Sequence, residues 1–132
     1  MHLSQGPMRT LVITKGHPFE REPFFAMFDS IPDIEWTHVE HPAAAAVFEP
    51  EYARQFDAFV FYDMPGIRFT AQGPQFFEPT QRFKDNLLAL TKLGKGFVFL
   101  HHAIAGWPAW PEYAEIVGGR FRYLPAPLRD TP

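Results

Sequence analysis

The stretch that most constrains the fold is residues 94–110, GKGFVFLHHAIAGWPAW. Four apolar residues, Phe97, Val98, Phe99 and Leu100, stand between a Gly-Lys-Gly turn and the pair His101 and His102. An apolar run without polar alternation buries both of its faces, which is the habit of a strand in a parallel sheet covered by helices. Open sheets of this kind bind ligands at the carboxyl ends of their strands, and the histidine pair stands at such an end. The small residues Ala103, Ala105 and Gly106 follow, then Trp107, Pro108, Trp110 and Pro111. That order predicts a tight loop over a pocket walled by two indoles. Large aromatics are costly to leave in water, so the two tryptophans are read either as ligand-stacking groups or as core.

The rest of the chain alternates strand and helix signals. Residues 11–14 (LVIT) predict a first strand, with Lys15, Gly16, His17 and Pro18 as the loop at its carboxyl end. Residues 20–29 predict a helix with Pro23 in its first turn and an apolar stripe of Phe24, Phe25 and Phe28. Residues 34–39 alternate and predict a second, more exposed strand, closed by His41 and Pro42. Residues 50–55 predict a helical turn. Residues 56–62 (FDAFVFY) predict a strong third strand that stops at Asp63, before the turn signal Met64-Pro65-Gly66. Residues 67–75 are expected to form a loop. Residues 79–93 predict the longest helix, with Phe83, Leu87 and Leu90 on one stripe and Gly94 as its stop. Residues 96–101 predict the fourth strand, and 111–117 a short helix ended by Gly118 and Gly119. Residues 120–124 are read as a last strand or an extended tail. The alternation predicts an α/β fold, a parallel sheet in the flavodoxin-like order 2-1-3-4 with helices on both faces.

Composition excludes several classes of function. With 132 residues the chain suffices for one domain, and 46% hydrophobic against 20% charged residues marks it as globular. The net charge of −3 comes with scattered signs, so no basic run points to nucleic acid. No apolar run approaches the roughly 20 residues of a membrane span, and no signal-like segment opens the chain, so cytoplasm is the expectation. There is no cysteine, hence no disulfide, no thiolate metal ligand and no cysteine nucleophile.

In a parallel sheet the carboxyl ends of the strands share one rim. His17, Asp63, His101 and His102 are therefore expected on that rim, delivered by three separated segments. An imidazole moves protons near neutral pH. Of the adjacent pair, one residue is expected to enter the pocket and the other to pack, because neighbouring strand residues point to opposite faces. His101 and His102 are the candidate proton-transfer groups, with Asp63 as the carboxylate that orients them or takes part in catalysis. His17, Trp107, Trp110 and Met64 are the candidate substrate contacts, the indoles stacking on a sugar ring. Each has a structural alternative: His17 as a loop histidine, Asp63 as a turn former, Met64 as filler and the tryptophans as core. Glu112 reads as helix first-turn charge, and His38 and His41 as surface residues. His and Asp also suit zinc, manganese or iron, but no HxH or HExxH spacing supports a metal site, and the cofactor is left open.

Residues 96–121, GFVFLHHAIAGWPAWPEYAEIVGGRF, resemble the ThuA-like (trehalose utilisation) domain. The LHHAIAGWP, WPEY and IVGGRF segments carry the resemblance most specifically. The loop at residues 14–17 and FYDMPG at residues 61–66 also resemble that family. The resemblance covers a domain at 8–124, with tails at 1–7 and 125–132. That family is similar in fold to the class I glutamine amidotransferases, which implies a flavodoxin-like three-layer sandwich with a mostly parallel sheet. It implies a carbohydrate-linked role in the use of trehalose or related disaccharides, with a sugar or sugar derivative as partner. Amidotransferases place a cysteine on the turn after a central strand. Here that turn carries His101, His102 and Ala103, and without any cysteine a thioester route to glutamine hydrolysis is excluded. Family members extend beyond the equivalent of Phe121, so the expectation is a domain truncated at its C-terminus, as a fragment or as a natural short form. An open sheet edge would then invite a homodimer. A non-catalytic interaction module and a metal-dependent hydrolase are the alternative functions.

Overall fold

The computed structural model describes residues 6–123. Its central strand is β1 (Met8–Lys15), in which the five residues from Thr10 to Thr14 are all buried. It lies between β2 (Ile34–Glu40) and β3 (Ala58–Asp63), with β6 (Gly96–Phe99) beyond β3. All three pairings are parallel. The order β2-β1-β3-β6 is the expected 2-1-3-4 arrangement of the four main strands, consistent with a flavodoxin-like layout. β2 is an edge strand with no fully buried residue, more exposed than the central β1, as its polar alternation predicted.

Alternation along the strands divides the core in two. Leu11, Ile13, Phe59 and Phe61 face the larger cluster, and Val12 and Val60 the smaller. The larger side is covered by α2 (Ala44–Val47), α3 (Pro50–Ala53), α4 (Gln81–Lys92) and α5 (Pro111–Val117). The smaller side is covered by α1 (Arg21–Asp29), through Phe24 and Phe28. This imbalance leaves Val98, which pairs in register with Val60, 49% exposed.

α4 shows why its sequence is helical. Phe83, Leu87 and Leu90 recur on one face and are buried, each worth about 1.5–3 kcal/mol. The side chain of Thr80 accepts a hydrogen bond from Phe83 N at 3.1 Å and caps the start. At the other end Gly94 N donates to Thr91 O and Lys95 N to Leu90 O, the paired bonds of a Schellman stop. The helix thus begins after Thr80 rather than at Pro79.

Several expectations are corrected. The first strand begins at Met8, three residues before the apolar run, because its exposed end still pairs with β2. Ala44–Val47 forms a short helix the sequence did not announce. Residues 67–75, expected to be a loop, include an antiparallel hairpin of β4 (Ile67–Thr70) and β5 (Gly73–Phe76). Pro74 hid it, since proline demotes a strand signal; the turn is closed by Thr70 Oγ1 donating to Gly73 O at 2.7 Å. The fourth strand ends at Phe99, and His101–Ala105 form a 3-10 turn. The strand argument for opposite faces therefore does not apply to His101 and His102. Residues 120–123 form no strand, and Leu124 and the tails at 1–5 and 125–132 lie outside the described residues. Among the described residues no helix is long and apolar enough to cross a membrane.

Candidate functional site at the carboxyl edge of the sheet

The rim is built by a close contact between the loops after β1 and β3. Met64 N donates to Lys15 O at 2.7 Å. The chain then turns through Lys15 and Gly16 at φ 132° and 99°. A Cβ on Gly16 would lie 2.5 Å from Met64 O, so only glycine allows this approach. The turn sets His17 against Tyr62, with Nε2 2.9 Å from Tyr62 O and Nδ1 3.1 Å from Pro18 O. Both neighbours are carbonyl acceptors, and a neutral imidazole has one N–H to offer them.

The 3-10 turn after β6 brings His102 onto His17. The two rings stack with centroids 3.8 Å apart and planes within 7°. His101 lies 4.3 Å from His102, tilted by 47°, and is exposed. Tyr62 meets His17 edge-on at 4.4 Å and is itself stacked on Phe24 of α1 at 4.6 Å. His102 Nδ1 is 3.4 Å from Met64 Sδ. A thioether only accepts, so in the neutral ring Nδ1 carries the proton and Nε2 keeps its lone pair. Burial holds the His102 pKa below its ordinary 6.5, helped by the neighbouring His17 and His101. His102 is thus a proton acceptor at neutral pH, among aromatic rings and beside an exposed imidazole.

Asp63 follows Tyr62 on β3 and points to the opposite face. It is 2% exposed, and its Oδ2 pairs with His41 Nε2 at 2.8 Å. Its hydrogen-bond partner is His41, not His17 or His102. Among the described residues Asp63 Oδ1 is buried with no partner, as is the hydroxyl of Tyr113. Burial, and then the charge of Asp63, push the Tyr113 phenol well above its ordinary 10. The carboxylate and the imidazole stack therefore share the rim but lie on opposite sides of the sheet.

The two tryptophans are 8% and 3% exposed and belong to the larger core. A Cβ on Gly66 would come within 2.6 Å of the Trp107 ring, which shows how closely the turn after β3 seats that indole. They do not stand over the imidazole stack as open platforms, contrary to expectation. His41 is also corrected: it is largely buried, packed edge-on against Trp107 at 6.1 Å and paired with Asp63. His38, expected at the surface, is half-buried, with Nε2 2.7 Å from Thr14 Oγ1; burial lowers its pKa below 6.5. The signal for His41 lay in the topology, since β2 is parallel to β1 and its carboxyl end must reach the same rim as Asp63. Glu112 is exposed in the first turn of α5, as expected.

Among the described residues no group of three or more histidine, aspartate or glutamate side chains is placed to hold a metal ion. No protein-family profile, no curated protein and no solved structure matches this chain.

Proposed function

We propose that this chain is a ThuA-like domain on an amidotransferase-like scaffold, which binds a sugar or sugar derivative at the carboxyl edge of its sheet. His102 is the group that takes a proton from a bound hydroxyl, and His17 holds its ring in place. The observation that carries this reading is the parallel stack of His17 and His102 at 3.8 Å. It joins loops 85 residues apart, and burial keeps one imidazole in its basic form. Tyr62 and Phe19 provide ring surface beside the stack, in place of the buried indoles. Asp63 and His41 form a buried pair that fixes the turn after β3, and so the position of Met64. The test is calorimetric titration with a panel of disaccharides, trehalose among them, and their oxidised derivatives. At least one member saturates the protein, and His102→Gln abolishes that binding while the circular dichroism spectrum stays unchanged. Retained binding with lost stability would make the stack structural and end the proposal.

A second reading is a non-catalytic interaction module that pairs with another copy of itself. It is favoured by the two tryptophans filling their loop from within, and by β6, which among the described residues is paired on one side alone and exposes Val98. Sedimentation over a range of concentrations decides it. A dimer lost on Val98→Lys supports the module, and a monomer throughout ends it.

A further inference from the structure

A cavity of about 270 Å³ lies between the tryptophan loop, α5 and residues 120–123, and none of the rim histidines lines it. Trp107, Trp110 and Tyr113 contribute to one wall, and Phe76, Phe121 and Tyr123 to the other. The second wall is tied in place: Tyr123 Oη donates to Ala105 O at 2.7 Å, and Phe121 N donates to Ile104 O at 3.0 Å. The rings of Phe76 and Phe121 each lie 5.0 Å from that of Tyr123. The aromatic faces are therefore held in position before any ligand arrives. Phe121 is nevertheless 51% exposed, so this wall stays open to solvent on one side.

Two further observations give the cavity a chemical preference. Arg120 and Arg122 both line it, and neither guanidinium has a hydrogen bond or ion pair with any described residue. A guanidinium presents a planar fork that matches a carboxylate or phosphate. The volume is near the lower end of small-molecule sites, roughly 300 Å³, and suits one ring rather than two.

We propose that this cavity is a second binding site, for a single-ring anion. Its ligand is a ring of monosaccharide or benzene size carrying a carboxylate or a phosphate. The ring lies between the aromatic walls, and the anion is taken by Arg120 and Arg122. The proposal is independent of the histidine rim, whose residues it does not use.

Tryptophan fluorescence reads occupancy, because two of the three tryptophans line the cavity. The probes are glucuronate, glucose 6-phosphate, benzoate, inorganic phosphate and glucose. At least one ring anion produces a saturable change that weakens with added salt, as an exposed charge pair requires. Glucuronate against glucose 6-phosphate tells which anion is preferred, and benzoate tells whether a flat ring suffices. Inorganic phosphate and neutral glucose bind at least about tenfold more weakly, since each lacks one half of the recognition. The double variant Arg120→Gln/Arg122→Gln loses binding by at least about tenfold. His102→Gln leaves it unchanged. Absence of saturation by every ring anion would overturn the proposal, as would equal binding to the double variant. Equal binding of inorganic phosphate would reduce the site to a patch of charge, and loss of binding in His102→Gln would move it to the rim.

Discussion

Replacing Gly16 by alanine tests the contact on which the histidine stack depends. The added Cβ would lie 2.5 Å from Met64 O and 3.1 Å from Met64 Cβ. The first distance is about 0.9 Å short of the 3.4 Å at which ordinary contact begins, and the obstacle is backbone, which cannot swing aside. At φ 99° an L side chain also meets its own carbonyl, which costs about 1–2 kcal/mol. Overpacking of this kind costs about 1–3 kcal/mol, so the variant should lose roughly 2–5 kcal/mol. Urea unfolding with linear extrapolation measures this. Relief of the clash separates the two loops, so His102 leaves Met64 and its titration midpoint, followed by proton NMR, rises toward 6.5. Gly119→Ala is the control, because a Cβ there meets nothing within 4 Å, and it should stay within about 0.5 kcal/mol of the parent. A Gly16→Ala protein as stable as that control, with an unchanged His102 titration, would refute the reasoning.

Asp63→Ala should lose about 1–3 kcal/mol in the same assay, because it leaves His41 without its hydrogen-bond partner beside a buried void; Asp63→Asn, whose amide oxygen still accepts from His41, should lose clearly less. Stability should fall as the pH drops through 6.5. His102 is held below its ordinary value when folded, so in that window the unfolded chain binds the proton first, and stability is complete only above about 6.5. Unfolding midpoints across that range should slope less in His102→Gln, with His38 leaving a residual slope of the same sign. Leu87→Ala should cost about 2–5 kcal/mol by leaving a cavity under α4, without moving the His102 titration. A shifted titration would show that the rim is coupled to the helix.

What the sequence determined by itself is the four strands of the main sheet, the longer helices and their order. Unalternated apolar runs at residues 11–14 and 97–100, the stripe Phe83, Leu87 and Leu90, and the stop at Gly94 each depend on neighbours a few residues away. They suffice for a parallel sheet with helices between its strands and for the rim where His17, Asp63 and His102 end their segments. The missing thiol is equally a property of composition. Tertiary structure alone decided which of those groups meet. Whether Asp63 faces His102 or His41 depends on the face its strand gives it and on the parallel register of β2, which is 23 residues earlier. Whether the indoles face a ligand or the core depends on the turn at Gly66, some 40 residues before Trp107. The hairpin at Ile67–Phe76 escaped for the same reason in reverse, since its local signal was broken by Pro74 and its pairing lies across the turn. Periodicity tells a residue which side of its own element it occupies. Only the packing of distant elements tells it what waits on that side.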